Sequence, residues 1–132
     1  MSGIQIFFKP YDAVMQTVFV FMYIGDMRRS TQNIARRIKS IIEQYDPNAK
    51  VYLYGSRATG KIHHESDWDV LILLSSDFVT TEMERKVTSP LYDLEFDTGE
   101  VISPSVYTQK EWDKKHRVTP FYNNVMREGI LL

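Results

Sequence analysis

The chain has 132 residues, 43% hydrophobic and 25% charged, values that fit one globular domain with a real core. Its formal net charge of -1 argues against nucleic-acid binding driven by bulk positive charge. The absence of cysteine excludes disulfides and thiolate metal sites, and accords with a cytoplasmic location.

Ala13 to Ile24 (AVMQTVFVFMYI) is strongly apolar, but its twelve residues are too few to span a bilayer as a helix. No basic region directly precedes it and no small-residue cleavage site follows, so neither a signal peptide nor a membrane anchor is expected. Two readings stand: a packed or partner-binding element, or an extension upstream of a natural start at Met27. Residues 1–26 are accordingly set apart as an extension, and 27–132 as the domain.

Ser30 or Thr31 can cap a helix to about Tyr45, in which Ile34, Ile38, Ile41, Ile42 and Tyr45 recur at helical spacing. Arg36, Arg37, Lys39 and Glu43 fill its other face and read as solvated helix surface. Asp46-Pro47-Asn48 stops it. Lys50 to Tyr54 predicts a short strand, broken at Gly55. Residues 68–74 predict a second strand, with Trp68, Val70, Ile72 and Leu74 on one face and Leu71 and Leu73 on the other. A strand apolar on both faces lies inside its sheet, covered by helices.

Ser75-Ser76-Asp77 is a turn, after which Thr80 or Thr81 caps a helix expected to break or bend near Pro90 and to end at Asp97-Thr98-Gly99. Glu100 to Tyr107 predicts a third strand, and Pro104 within it marks an edge or a bulge. Thr108 caps a short helix to about His116, with Lys114, Lys115 and Arg117 as a solvated basic end. Thr119-Pro120 starts a last helix that Gly129 ends. Trp112 and Tyr122 read as packing groups, and no internal repeat or linker interrupts the series.

The chemistry gathers in residues 55–69, between the first two strands. Gly55 lets the backbone turn and lets a phosphate approach, and Ser56 offers a hydroxyl and an N–H. Arg57 or Lys61 could neutralise a phosphate. Asp67 and Asp69, two apart at a strand's mouth, share a face, and carboxylates so placed suit a magnesium ion. His63 and His64 lack partners as ligands and read as exposed loop residues.

Gly55-Ser56, ten intervening residues and Asp67-Trp68-Asp69 resemble the signature of the polymerase-beta-like nucleotidyltransferase superfamily. Gly60 and the Ser66-Asp67 pair are similar to the pattern of its small members, the minimal nucleotidyltransferases. The likeness runs from residue 34 to about 107. It implies an α+β fold of polymerase-beta palm type, with a small mixed sheet flanked by helices. It also implies Mg²⁺-dependent transfer of a nucleoside monophosphate from an NTP to a hydroxyl, with Ser56 on the triphosphate and Asp67 and Asp69 on the metal. A third carboxylate would complete a two-metal site; Glu100 is the expected one, with Asp97 and Glu95 as runners-up, because Ile102, Ser103 and Ser105 occupy the interior of the third strand.

Small members of the superfamily commonly stand beside a HEPN-domain partner, so the resemblance implies an antitoxin that adenylylates a toxin tyrosine, binds the toxin, or both. The alternative is a nucleotidyltransferase-fold module, weak or inactive, that acts by complex formation alone. An antibiotic-modifying enzyme is a third reading. It would need an added helical domain, for which 132 residues leave little room unless a homo-oligomer supplies it.

Overall fold

The structure, a computed structural model, describes residues 32–60 and 66–132. The expectations for residues 1–26, the Ser30 or Thr31 cap, Lys61, His63 and His64 fall outside that range. Contacts divide the chain into two compact units, Met1–Ile34 and Ala35–Leu132, and the second holds the whole described sheet.

Helix α1 covers residues 32–45, with Ile38 and Ile42 fully buried on one side, and it ends where Asp46 precedes Pro47. Asp46 then acts as a clamp. Its carboxylate accepts from the Asn48 N–H at 3.0 Å, and from the N–H and hydroxyl of Ser75 at 2.8 Å each, so the turn before β1 is tied to the turn after β2. Strands β1 (Lys50–Tyr54) and β2 (Trp68–Leu74) pair antiparallel, with Tyr54 opposite Asp69. Between them lies the four-residue helix α2 (Ser56–Thr59).

Helix α3 (Thr81–Thr98) is capped by Thr80, whose hydroxyl accepts from the Met83 N–H, and is closed by Gly99 in the left-handed conformation. Of the break or bend expected near Pro90, the break does not occur: the helix runs through the proline. Val87, Leu91 and Leu94 are buried on either side of the proline, and packing holds the helix where the backbone has lost one hydrogen bond. Strand β3 (Ile102–Thr108) pairs parallel with β2, which leaves Pro104 on an edge strand among the described residues. Helices α4 (Gln109–Lys114) and α5 (Pro120–Glu128) follow behind the Thr108 and Thr119 caps. A two-residue strand, β4 (Ile130–Leu131), then pairs antiparallel with Tyr52 and Leu53.

The sheet is mixed, in the order β3-β2-β1-β4, with β2 inside it as its apolar faces require. Residues paired in register project to the same side, so the two faces can be followed from strand to strand. One face carries Leu71 and Leu73, which pack with Trp112, Val125, Phe121 and the tyrosines 52, 54, 107 and 122. The other carries Val51, Leu53, Trp68, Val70, Ile72, Leu74 and Ile102, all buried, and α3 lies against β3. Each helical layer buries one face, and the polar mouth of β2 is left between the ends of β1 and β3. Among the described residues no helix is long and apolar enough to cross a membrane.

Candidate active site

The site begins where β1 ends. Gly55 has φ 72° and ψ -153°, a region that L side chains rarely enter, and its carbonyl accepts from the N–H groups of Ala58 and Thr59 to start α2 at Ser56. A Cβ added to Gly55 would overlap Oδ2 of Asp69. The glycine is therefore required twice, by its dihedral angle and by the carboxylate pressed against it. Gly60, φ 80°, closes the short helix with open space around its α-carbon.

Asp69 is half-buried and Asp67 is exposed. Burial, and after it the charge of Asp67, push the Asp69 carboxyl above its ordinary value. A carboxylate in that state is relieved by a cation, and two hard oxygen donors at a strand mouth are the donor set of a magnesium ion that completes its shell with water and phosphate oxygens. The residues present therefore fit one Mg²⁺. Beside the pair, β3 brings Ser103 into register with Asp69, and its hydroxyl lies 3.4 Å from Oδ2 of Asp67. Tyr54 stands across from Asp69 in the β1–β2 pairing. Burial raises the phenol's pKa first, and the negative charge of Asp69 adds to that.

The third carboxylate expected at Glu100 does not join the pair. Trp68 and Ile102 are in register on the buried face, opposite to Asp69. The third strand begins at Ile102 rather than at the expected Glu100, which reaches that buried side through its bond to Trp68. Its Oε2 accepts from Trp68 Nε1 at 3.2 Å and from an Arg57 nitrogen at 3.1 Å. The runners-up are engaged elsewhere: Glu95 accepts from the Ile102 N–H at 2.6 Å, and Asp97 lies 4.0 Å from Arg37. Among the described residues no group of three or more His, Asp or Glu side chains could hold a metal ion. The protein ligands of a two-metal site are not assembled there.

Arg57 is likewise turned inward rather than towards a phosphate. Its side chain is only 8% exposed, and one nitrogen bridges Glu100 and the Ser66 carbonyl at 2.9 Å. The guanidinium lies over the Trp68 ring, 4.5 Å from its centroid. The arginine thus fastens the start of the loop to its end. Ser66 is buried at that junction, and Lys61 remains the loop cation left to consider for a phosphate. Ser103 and Tyr54 are the site residues that sequence reasoning passed over. Period-two alternation assigns Ser103 a face, but only the register against β2 sets that face beside Asp69.

The family model described as polymerase beta, nucleotidyltransferase matches residues 36–132, which include the whole described sheet and the helices around it. The chain belongs to that family. A solved structure of a toxin-antitoxin with AMP-PNP shares the fold of this nucleotidyltransferase domain, at a TM-score of 0.50 and 17% identity. The likeness covers 73% of this chain and 69% of that one. No curated protein matches the chain in sequence. The mixed sheet flanked by helices is thus the α+β fold that the Gly-Ser and Asp-x-Asp pattern implied.

Proposed function

We propose that this domain binds a nucleoside triphosphate and moves its nucleoside monophosphate, AMP from ATP, to a hydroxyl of a partner protein. The observation that carries the reading is that the Asp69 carboxylate occupies the space a Cβ on Gly55 would need, which sets the Gly-Ser turn against one of the paired acids. Gly55, Ser56 and Gly60 form the phosphate-facing turn, with the Ser56 hydroxyl and N–H on triphosphate oxygens, Lys61 as its cation and Ser66 at its far end. Asp67 and Asp69 hold Mg²⁺, which when bound offsets phosphate charge and fixes the triphosphate. The acceptor oxygen attacks the α-phosphorus, the bond to the β-phosphate oxygen breaks, and pyrophosphate leaves. The acceptor proton passes to solvent.

The fold neighbour is a toxin-antitoxin, and this supports a toxin as the partner protein. The acceptor tyrosine, the HEPN type of that partner and a cytoplasmic antitoxin role are what the sequence resemblance implies. A second reading is favoured by Ser103 itself: without a third carboxylate the domain neutralises its partner by binding, with slow transfer or none. Incubation with α-³²P-labelled ATP, Mg²⁺ and the neighbouring gene product separates the two. Label on the partner that vanishes in Asp67→Ala and Asp69→Ala supports transfer; a tight, unlabelled complex supports binding alone. Failure of either variant to alter nucleotide binding or labelling would remove the site assignment.

A further inference from the structure

We infer that Ser103 restricts this site to a single divalent cation, and that an acid at position 103 would admit a second. The inference rests on Asp67 and Asp69 being the metal ligands. Parallel pairing of β2 with β3 sets Ser103 beside Asp69 on one face, and its hydroxyl lies 3.4 Å from Oδ2 of Asp67, so this side chain touches one carboxylate and stands in register with the other. Two ions that share a phosphoryl-transfer site stand only about 3.5–4 Å apart, and their charges need several bridging anions. Two carboxylates balance one divalent ion. Ser103 contributes a neutral oxygen at the position from which a third anion could bridge.

None of the three acids expected as a third ligand can take that place without giving up a partner. Glu100 is held on the opposite face by Arg57 and Trp68, Glu95 by the Ile102 N–H, and Asp97 by Arg37. The Ser103 hydroxyl, by contrast, is hydrogen-bonded to the candidate ligand itself. Position 103 thus sets the ion count through its charge, while the pair sets whether any ion binds.

The test uses the full chain saturated with α,β-methylene ATP, which cannot transfer its nucleotide, and counts bound Mn²⁺ by electron paramagnetic resonance. The wild type is expected to hold one Mn²⁺ per nucleotide-bound chain, Ser103→Asp two, and Ser103→Asn, equal in shape but neutral, one. Two ions on the wild type, or one on a folded Ser103→Asp, overturn the inference while leaving the ligand pair intact. Two ions on Ser103→Asn also overturn it, since charge would then not be the cause. If Ser103→Asp fails to fold, the wild-type count decides alone. No nucleotide-dependent Mn²⁺ on the wild type overturns the reading of Asp67 and Asp69, and this inference with it.

Discussion

Removing the Arg57 side chain separates a loop-fastening role from a phosphate-binding one. The group is 8% exposed and makes charge-assisted bonds to the Ser66 carbonyl and to Glu100, each worth about 1.5–3 kcal/mol in general. Breaking a fully buried pair costs about 3–5 kcal/mol because the surviving charge is stranded. Glu100 is 31% exposed and can be rehydrated in part, so Arg57→Ala should cost about 2–3 kcal/mol. For a unit of this size that lowers Tm by roughly 10–20 °C. Glu100→Gln keeps an oxygen for Trp68 Nε1 and should cost less, about 1–2 kcal/mol. Urea unfolding followed by tryptophan fluorescence on both single variants and the double gives the coupling, expected above about 1 kcal/mol. Coupling near zero, or loss of nucleotide-dependent metal binding in Glu100→Gln at unchanged stability, would return Glu100 to the metal and refute the argument.

Gly55→Ala combines a positive φ with overlap on Asp69 and should destabilise by about 1–3 kcal/mol; calorimetry and nucleotide titration should show stability and binding falling together. Asp69→Asn should raise Tm at pH 7 while abolishing nucleotide-dependent metal binding. The native pKa of Asp69 lies above its unfolded value, so its ionised form opposes folding at neutral pH, and the Tm gap to wild type should close as pH falls through the native pKa. Asp46 has the opposite sign: partial burial raises its pKa, but the bonds from Ser75 and Asn48 together prevail and lower it. Its stabilisation is present above the unfolded pKa and lost as pH falls through the lowered native one, so Asp46→Ala should cost about 1–2 kcal/mol at pH 7 and almost nothing in strong acid.

Local signals carried most of the fold. The strand over residues 50–54, the strand over 68–74 and the Thr80, Thr108 and Thr119 caps lie where alternation, glycine and hydroxyl residues place them. The errors share one cause, which is information held by tertiary contacts. Pro90 argued for a break, but three buried neighbours keep α3 whole. The strand Ile130–Leu131 is too short for any periodicity and exists because β1 offers it a ladder. Glu100 is the acid expected to open the third strand, but β3 begins at Ile102, and the bonds of Glu100 to Arg57 and Trp68 hold it away from the pair, contacts that one sequence does not contain. Arg57 reads as a phosphate ligand by composition and position. Only the side-chain positions of Glu100 and Trp68 reveal that one of its terminal nitrogens is already engaged, while its buried Nε has no partner.

The two faces of β2 explain why the carboxylates stay aimed at a common point. A slip of one residue in the pairing of β2 would exchange its faces, carrying Asp67 and Asp69 inside and Trp68 out. Trp68 prevents this: it is 1% exposed, its ring carries the Arg57 guanidinium and its Nε1 is bonded to Glu100. The slip would expose a tryptophan, strand a buried arginine and bury two acids, so its cost far exceeds that of the strained glycine and the desolvated Asp69. The residue between the aspartates therefore sets their direction. The Arg57–Glu100 pair, which contacts no proposed ligand, governs the site through it.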